Sequence, residues 1–124
     1  MKTLWDEYAS AWSTRDGKTR EAILEKRLAP DVQYVDPNAE TLGYARISAY
    51  MADFQRELPG RRFVISDVIA HHDRCLAHWT MQNEESKVEM EGASFAEISP
   101  DGRLRRIYGF FRSTSGGEEG VILS

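Results

Sequence analysis

Two side chains in this sequence have the types needed to remove a proton from carbon beside a carbonyl and to stabilise the enolate that forms. Asp36 ends the stretch "VQYVD", and Pro37 after it favours an extended conformation for Asp36. Tyr8 lies on the apolar stripe of the first predicted helix. A carboxylate held in a water-poor pocket can abstract a proton beside a carbonyl, and a tyrosine hydroxyl can stabilise the enolate that forms. This chemistry needs no cofactor.

Both residues also have a purely structural interpretation. Asp-Pro after a strand commonly starts a turn, in which the carboxylate of Asp36 would accept hydrogen bonds from the backbone N–H groups of Asn38 or Ala39. Tyr8 could be a core aromatic residue whose hydroxyl finds a nearby partner. The sequence leaves both interpretations open.

Histidine and cysteine give weaker indications of chemistry. His71 and His72 fall at a predicted hairpin tip beside Asp73, and adjacent strand residues point to opposite faces, so they are poor co-ligands. We therefore predict no metal site. The single cysteine, Cys75, cannot form an internal disulfide, and within "RCLAHW" it is typical of a small buried thiol.

Periodicity predicts the elements that must position these residues. Helices are expected over about 4–15, over "EAILEKRL" before Pro30, and over about 44–58. Strands are expected at "VQYVD" and then at four long stretches separated by turn signals: "RRFVISDVIAH", "RCLAHWTMQN", "KVEMEGASFAEIS" and "RLRRIYGFFRS". The prediction is an α+β fold with three helices packed on one strongly curved antiparallel sheet.

Length and charge limit the classes of protein. At 124 residues, one domain over 1–113 is expected, followed by a Gly-rich, acidic and flexible tail at 114–124. The net charge of −4 argues against a nucleic-acid partner, and Arg103, Arg105 and Arg106 are interpreted as a solvated face. No segment has the length of a membrane span or a signal peptide, so we expect a cytoplasmic protein without a membrane partner.

The order of elements, together with "APDVQYVDP", "GYARISAYM" and "SPDGRLRRIYGFF", resembles the NTF2-like superfamily, particularly its SnoaL-like and ketosteroid-isomerase-like members. The resemblance extends from Leu4 to Arg112 and implies a cone-shaped, cystatin-like fold with an interior. The superfamily includes isomerases, cyclases, dehydratases, epoxide hydrolases and non-enzymatic binding modules. Function must therefore be argued from the site.

Similarity to the ketosteroid isomerases implies a role for individual residues. Asp36 matches their general base, and Tyr8 matches their oxyanion-hole tyrosine. Their third residue, a protonated aspartic acid, is matched here by Ser94, so the pattern is broken at that position. A serine can donate only a weaker hydrogen bond to the oxyanion.

The same resemblance, combined with strand alternation, implies an apolar and aromatic cavity wall. Such a wall suits a flat hydrophobic small molecule with one or two polar handles. The expected lining comprises Trp12, Tyr50, Met51, Phe54, Trp79, Met81, Met90, Ser94, Ile107 and Phe111. The outer sheet face, which is expected to form a homodimer, carries His78, Thr80, Gln82, Phe95, Tyr108 and Phe110.

Three hypotheses remain. The first is a cofactor-independent enzyme, of the isomerase, cyclase or dehydratase type, that transfers a proton on a small hydrophobic carbonyl compound with Asp36 as base and Tyr8 as oxyanion donor. The second is a non-catalytic binding module for a hydrophobic molecule or partner, which Ser94 favours. The third is a structural dimer with a filled interior.

Overall fold

The computed structural model describes residues 1–112, so the tail expected at 114–124 lies outside the described residues. These residues form three helices, a short 3₁₀ turn and six strands. In chain order they are α1 (Lys2–Ser10), the 3₁₀ turn (Ala11–Ser13), α2 (Gly17–Arg27), β1 (Leu28–Asp36), β2 (Ala39–Leu42), α3 (Tyr44–Glu57), β3 (Arg62–His71), β4 (Arg74–Gln82), β5 (Val88–Ile98) and β6 (Leu104–Phe111).

The strands form one mixed sheet in the order β2-β1-β6-β5-β4-β3. All neighbouring strands are antiparallel except β1 and β6, which run parallel. Irregular register between Ile65 and Asp67, on β3, adds to the curvature, because a bulge bends its strand. The sheet is curved but not closed, and the α+β prediction is confirmed.

Alternating burial along β4 defines the two faces of the sheet. Ala77, Trp79 and Met81 are buried, whereas His78 between them is exposed. The helices pack against the buried face through their apolar stripes. These stripes comprise Leu4, Trp5, Tyr8 and Ala9 on α1, and Ile47 and Met51 on α3.

Two polar side chains attach the 3₁₀ turn to the helices. Gln55 donates from its amide to the carbonyl oxygens of Trp12 (2.8 Å) and Thr14 (3.0 Å). The buried guanidinium of Arg20 donates to Thr14 O (2.8 Å) and to Ser48 Oγ (2.9 Å) on α3. These bonds satisfy carbonyl groups at the end of the turn. They also fix the position of Trp12 above the sheet.

The structure differs from the predicted elements at three places. The first helix ends at Ser10, before the 3₁₀ turn, and strand β1 begins at Leu28, so it includes Pro30. Pairing between β1 and β6 is interrupted after Leu28 and resumes at Gln33, so Pro30 lies where the ladder needs no N–H donor. Strand β2 was not predicted, since four residues are too few to show alternation.

Candidate functional site

A cavity of about 510 Å³ lies on the inner face of the sheet, beneath α1, the 3₁₀ turn and α3. Nine of its twenty lining residues are aromatic. The rings come from α1, the 3₁₀ turn and α3 and from four strands: Trp5, Tyr8, Trp12, Tyr34, Tyr50, Phe54, Phe63, Trp79 and Phe111. In a wall that is mainly apolar, the few polar groups are the points of recognition.

Trp12 is the centre of the aromatic wall. Its ring centroid lies 5.6 Å from those of Tyr34, Tyr50, Phe54 and Phe63, mostly in edge-to-face geometry. Such contacts favour a rigid wall over a fluctuating one, because each aromatic pair adds about 0.5–1.5 kcal/mol beyond burial. The cavity is therefore largely preformed.

The carboxylate of Asp36 lies at the cavity and accepts hydrogen bonds from four groups. Its Oδ2 atom accepts from the hydroxyls of Tyr34 (2.6 Å) and Tyr50 (2.9 Å). Its Oδ1 atom accepts from the backbone N–H groups of Asn38 (2.8 Å) and Ala39 (2.9 Å). Asp36 thus forms the turn that the Asp-Pro pair indicated and is also part of the cavity wall.

Three tyrosines lie near this carboxylate: Tyr8 and Tyr34 are buried, and Tyr50 is half-buried. Burial raises the pKa of Tyr8, Tyr34 and Tyr50 well above the ordinary value near 10, and the negative charge of Asp36 raises the pKa of each further. The three hydroxyls therefore remain protonated at neutral pH. They can act as hydrogen-bond donors within the cavity.

Two hydroxyl groups at the cavity have a proton to give. Tyr8 Oη accepts from Trp12 Nε1 (3.2 Å), and Ser94 Oγ accepts from Trp79 Nε1 (3.0 Å). Within residues 1–112 neither hydroxyl donates to a protein acceptor. Tyr8 is only 5% exposed and Ser94 only 7% exposed, so a ligand in the cavity is the natural acceptor for both.

Gly109 leaves open the space between the acid and Ser94. A methyl group at this position would lie 3.4 Å from Asp36 Cβ, 3.6 Å from Ser94 Oγ and 3.7 Å from the Tyr34 hydroxyl oxygen. These distances place Asp36, Ser94 and Tyr34 around one small volume of the cavity. A reacting atom could occupy it.

Most of the residues expected at the cavity lie on its wall, namely Tyr8, Trp12, Asp36, Tyr50, Phe54, Trp79, Met81, Met90, Ser94 and Phe111. The structure does not place Met51 and Ile107 there. Both side chains are fully buried in the core between α3 and the sheet. They face inward as expected, but other side chains separate them from the cavity.

Sequence reasoning missed Tyr34, which makes the shortest hydrogen bond to Asp36. The signal was present, because residues two apart on a strand share a face, and Tyr34 precedes Asp36 by two. Trp5 and Phe63 were also missed. They come from the start of the first helix and from β3, which were not expected to reach the cavity.

Residue types that suggested other sites lie elsewhere. His71 and His72 are exposed at the β3–β4 turn, and no group of side chains in residues 1–112 has the arrangement of a metal site. Cys75 is buried beside Trp5 Nε1 (3.3 Å), and burial raises the pKa of its thiol, so it remains protonated.

Within residues 1–112, no helix is long and apolar enough to cross a membrane.

The clustered arginines pair with carboxylates at the surface, as expected of a solvated face. Arg103 pairs with Asp101 (2.8 Å), and Arg106 pairs with Glu97 (2.9 Å). Arg105 lies 3.5 Å from the carboxylate of Asp31. None of the three lines the cavity.

Residues 5–107 match the family model of the SnoaL-like domain. The chain belongs to the SnoaL-like family. This agrees with the NTF2-like resemblance of the sequence. No curated protein matches the sequence.

Solved structures of SnoaL-like proteins share the fold. A candidate isomerase of the family from Agrobacterium tumefaciens str. C58 superposes with a TM-score of 0.82 at 23% identity, covering 90% of this chain and 96% of its own. A candidate SnoaL-like polyketide cyclase from Jannaschia sp. CCS1 gives 0.71 at 14% identity, covering 89% and 83%. TerC, co-crystallised with polyporic acid, gives 0.71 at 21% identity and covers 94% of each chain. At these identities the likeness establishes the fold alone.

Proposed function

We propose that this SnoaL-like protein catalyses proton transfer beside the carbonyl group of a small hydrophobic compound. Asp36 is the base and Tyr8 is the oxyanion donor. One observation carries the proposal: a carboxylate and a buried tyrosine hydroxyl with a free proton line the same aromatic cavity. A base, a donor and a water-poor pocket are the requirements of enolate chemistry.

In the proposed reaction, the substrate carbonyl oxygen accepts a hydrogen bond from Tyr8. Asp36 removes a proton from the adjacent carbon, the electron pair of that C–H bond moves into the new carbon–carbon double bond, and negative charge develops on the carbonyl oxygen. In a β,γ-unsaturated ketone, protonated Asp36 can then return the proton to the γ-carbon, so that the double bond moves into conjugation with the carbonyl, which is isomerisation. If the enolate carbon instead attacks a second carbonyl carbon, Asp36 gives its proton to that carbonyl oxygen and a ring closes. If a β-hydroxyl group leaves, it takes the proton of Asp36 and departs as water, which is dehydration.

Ser94 is expected to be the second donor to the oxyanion. Its hydroxyl is a weaker hydrogen-bond donor than a protonated carboxylic acid. Removing one strong oxyanion donor typically raises the activation free energy by about 2.7–4 kcal/mol. The reaction would be slower than with an acid at this position. It would still be possible, because Tyr8 remains.

The second candidate is a binding module that holds a hydrophobic molecule without reaction. The hydrogen bonds of Asp36 favour it, because four groups already engage both carboxylate oxygens. Before Asp36 can take a proton, one of these bonds must lengthen. The third candidate, a dimer with a filled interior, conflicts with a cavity of about 510 Å³.

The test is deuterium uptake at the α-carbon of a pool of hydrophobic ketones and β-keto compounds in D₂O, followed by NMR. Asp36→Asn keeps the size of the side chain but removes the base, and it should abolish exchange. Tyr8→Phe should slow exchange by about a hundredfold or more. Asp73→Asn, a matched change at the exposed β3–β4 turn, should leave exchange unchanged.

Circular dichroism and thermal unfolding of each variant separate loss of the base from loss of the fold. Exchange that survives Asp36→Asn would refute the assignment of the base. Binding without exchange, in wild-type protein and across the whole pool, would replace this proposal with the binding module.

A further inference from the structure

The charged residues of the cavity wall have one sign. Asp36, Asp53 and Glu57 contribute carboxylates, and no lysine, arginine or histidine in residues 1–112 lines the cavity. Asp53 pairs with Arg56, which does not line the cavity, whereas Asp36 and Glu57 have no ion-pair partner in residues 1–112. A ligand that enters therefore meets a negative electrostatic potential.

Two of these carboxylates mark the mouth. Among the lining residues only Asn38, Asp53 and Glu57 are exposed, which places them where the cavity meets solvent. Asp53 and Glu57 are four residues apart on α3 and so share one face of the helix. Asp53 contacts Arg56 on the outer surface, whereas Glu57 has no ion-pair partner within the described chain.

Aromatic rings lie between the mouth and the interior. Tyr50 and Phe54 belong to the same helix as the two mouth carboxylates and pack against Trp12. The negative faces of such rings attract cations within about 6 Å of the ring centroid. Acidic residues and aromatic rings therefore favour the same class of ligand, which is one carrying an ammonium group.

The charge at the mouth also affects Tyr50. Burial is the main cause of its raised pKa, and the charges of Asp36 and Glu57 both raise that pKa further. The two carboxylates therefore act on the same part of the cavity wall. A cation placed near Tyr50 would be stabilised by both.

The inner end of the cavity indicates how a ligand would be oriented. The buried Tyr8 hydroxyl lines the wall and has no acceptor for its proton in the described chain, so it can bind a carbonyl oxygen. A ligand with a carbonyl group at one end and a positive charge at the other could bind the Tyr8 hydroxyl and the carboxylates at the mouth together. The hydrophobic body would lie between the rings.

We propose that the cavity selects hydrophobic amino ketones, with the carbonyl bound at Tyr8 and the ammonium group at Asp53 and Glu57, and that it rejects carboxylates. The assignment of the carbonyl end rests on the proposed function. The charge selection at the mouth rests on the lining itself, because Asp53 and Glu57 act on any ligand that reaches the mouth, whether or not it reacts.

Three para-substituted acetophenones test this selection by calorimetric titration. They carry a trimethylammonium, a tert-butyl or a carboxylate group, and the first two have nearly the same shape and differ in charge. The ammonium compound should bind about tenfold more tightly than the tert-butyl compound. The carboxylate should bind about tenfold more weakly than the tert-butyl compound, or more weakly still.

Substitution at the mouth tests the residues responsible. The double variant Asp53→Asn, Glu57→Gln should bring the affinity ratio of the ammonium and tert-butyl compounds close to one. Glu21→Gln, an equivalent change on the exposed face of α2, is the control and should preserve the wild-type ratio. High salt should reduce the ratio in wild-type protein, since screening weakens interactions with exposed charges.

Equal affinity for the ammonium and tert-butyl compounds, tighter binding of the carboxylate, or no binding of any of the three would overturn the proposal. The proposed reaction is tested by a different measurement, which is α-proton exchange. If the charge preference holds while no ketone exchanges its α-proton, only the catalytic assignment is lost. If neutral ketones exchange through Asp36 without a charge preference, only the selection is lost.

Discussion

At the scale of single residues, Asp36 shows that a turn former and a site residue can be the same side chain. Its Oδ1 atom accepts from two backbone N–H groups of the β1–β2 turn, and its Oδ2 atom accepts from two tyrosine hydroxyls. The backbone bonds fix the orientation of the carboxylate. They thus hold the acid in place for the cavity, as a preorganised site requires.

The buried tyrosines make the free energy of unfolding depend on pH in the alkaline range. The pKa of Tyr8 and of Tyr34 is raised in the folded state, mainly by burial, so each binds its proton more tightly there than in the unfolded chain. Their contribution is therefore fully present below pH 10, the ordinary value, and is lost as pH rises above it. Each should lower the free energy of unfolding by about 1.4 kcal/mol per pH unit in that range.

Urea unfolding at several pH values around and above this point measures the effect. The double variant Tyr8→Phe, Tyr34→Phe should show a shallower decline than wild-type protein, whatever its stability at neutral pH. Equal slopes in the two proteins would contradict the raised pKa values.

At the scale of elements, α3 and the 3₁₀ turn build the cavity together. Gln55 is the connection, because its amide donates to two carbonyl oxygens at the end of the turn that carries Trp12. Gln55→Glu would place an acceptor against those carbonyls. We expect a loss of about 1–3 kcal/mol in the free energy of unfolding, the cost of unsatisfied polar groups.

Ligand affinity should fall along with stability, since Trp12 contacts rings on both sides of the cavity. Denaturant titration and calorimetry with the tert-butyl acetophenone measure the two effects. Gln82→Glu is the matched control. Gln82 Oε1 accepts a hydrogen bond from Arg62 Nη2 (3.2 Å), and a carboxylate at this position could accept the same bond. If Gln82→Glu lowered stability and affinity as much as Gln55→Glu does, the two hydrogen bonds from Gln55 to the turn would not be the cause.

Periodicity predicted the elements well where the stretches are long, and less well where the tertiary structure decides. The third helix was expected over about 44–58 and occupies Tyr44–Glu57, because its apolar spacing continues for four turns. Strand β2 was missed because it exists through pairing with β1 rather than through its own pattern. The parallel pairing of β1 with β6 has no local signal either.

For the site, alternation determined which side chains face inward but not how deep they lie. It placed Trp79 and Met81 correctly at the cavity, and it could equally have found Tyr34. Ile107 shares the inner face but is fully buried in the core and does not reach the cavity. Depth depends on which helices lie above each strand, and a single sequence does not record that.

At the scale of the whole molecule, the outer face of the sheet carries an apolar row that crosses five strands. The paired positions follow one another as Ile69, Leu76, Phe95, Tyr108 and Val35. Phe95 and Tyr108 stack with ring centroids 6.1 Å apart, and neighbouring Phe110 is 64% exposed. A continuous apolar row of this kind is unusual on a solvated face.

We propose that two copies of the chain pack through this row as a homodimer, which was also expected from the sequence. Phe110→Asp places a charge beside the row, and it should shift the protein to monomer in sedimentation equilibrium at micromolar concentration. Leu42→Asp is a matched control, because Leu42 is also 64% exposed but lies on edge strand β2, outside the row. It should leave the dimer intact. A wild-type monomer at the same concentration would rule out this interface, and the exposed row would then need another partner.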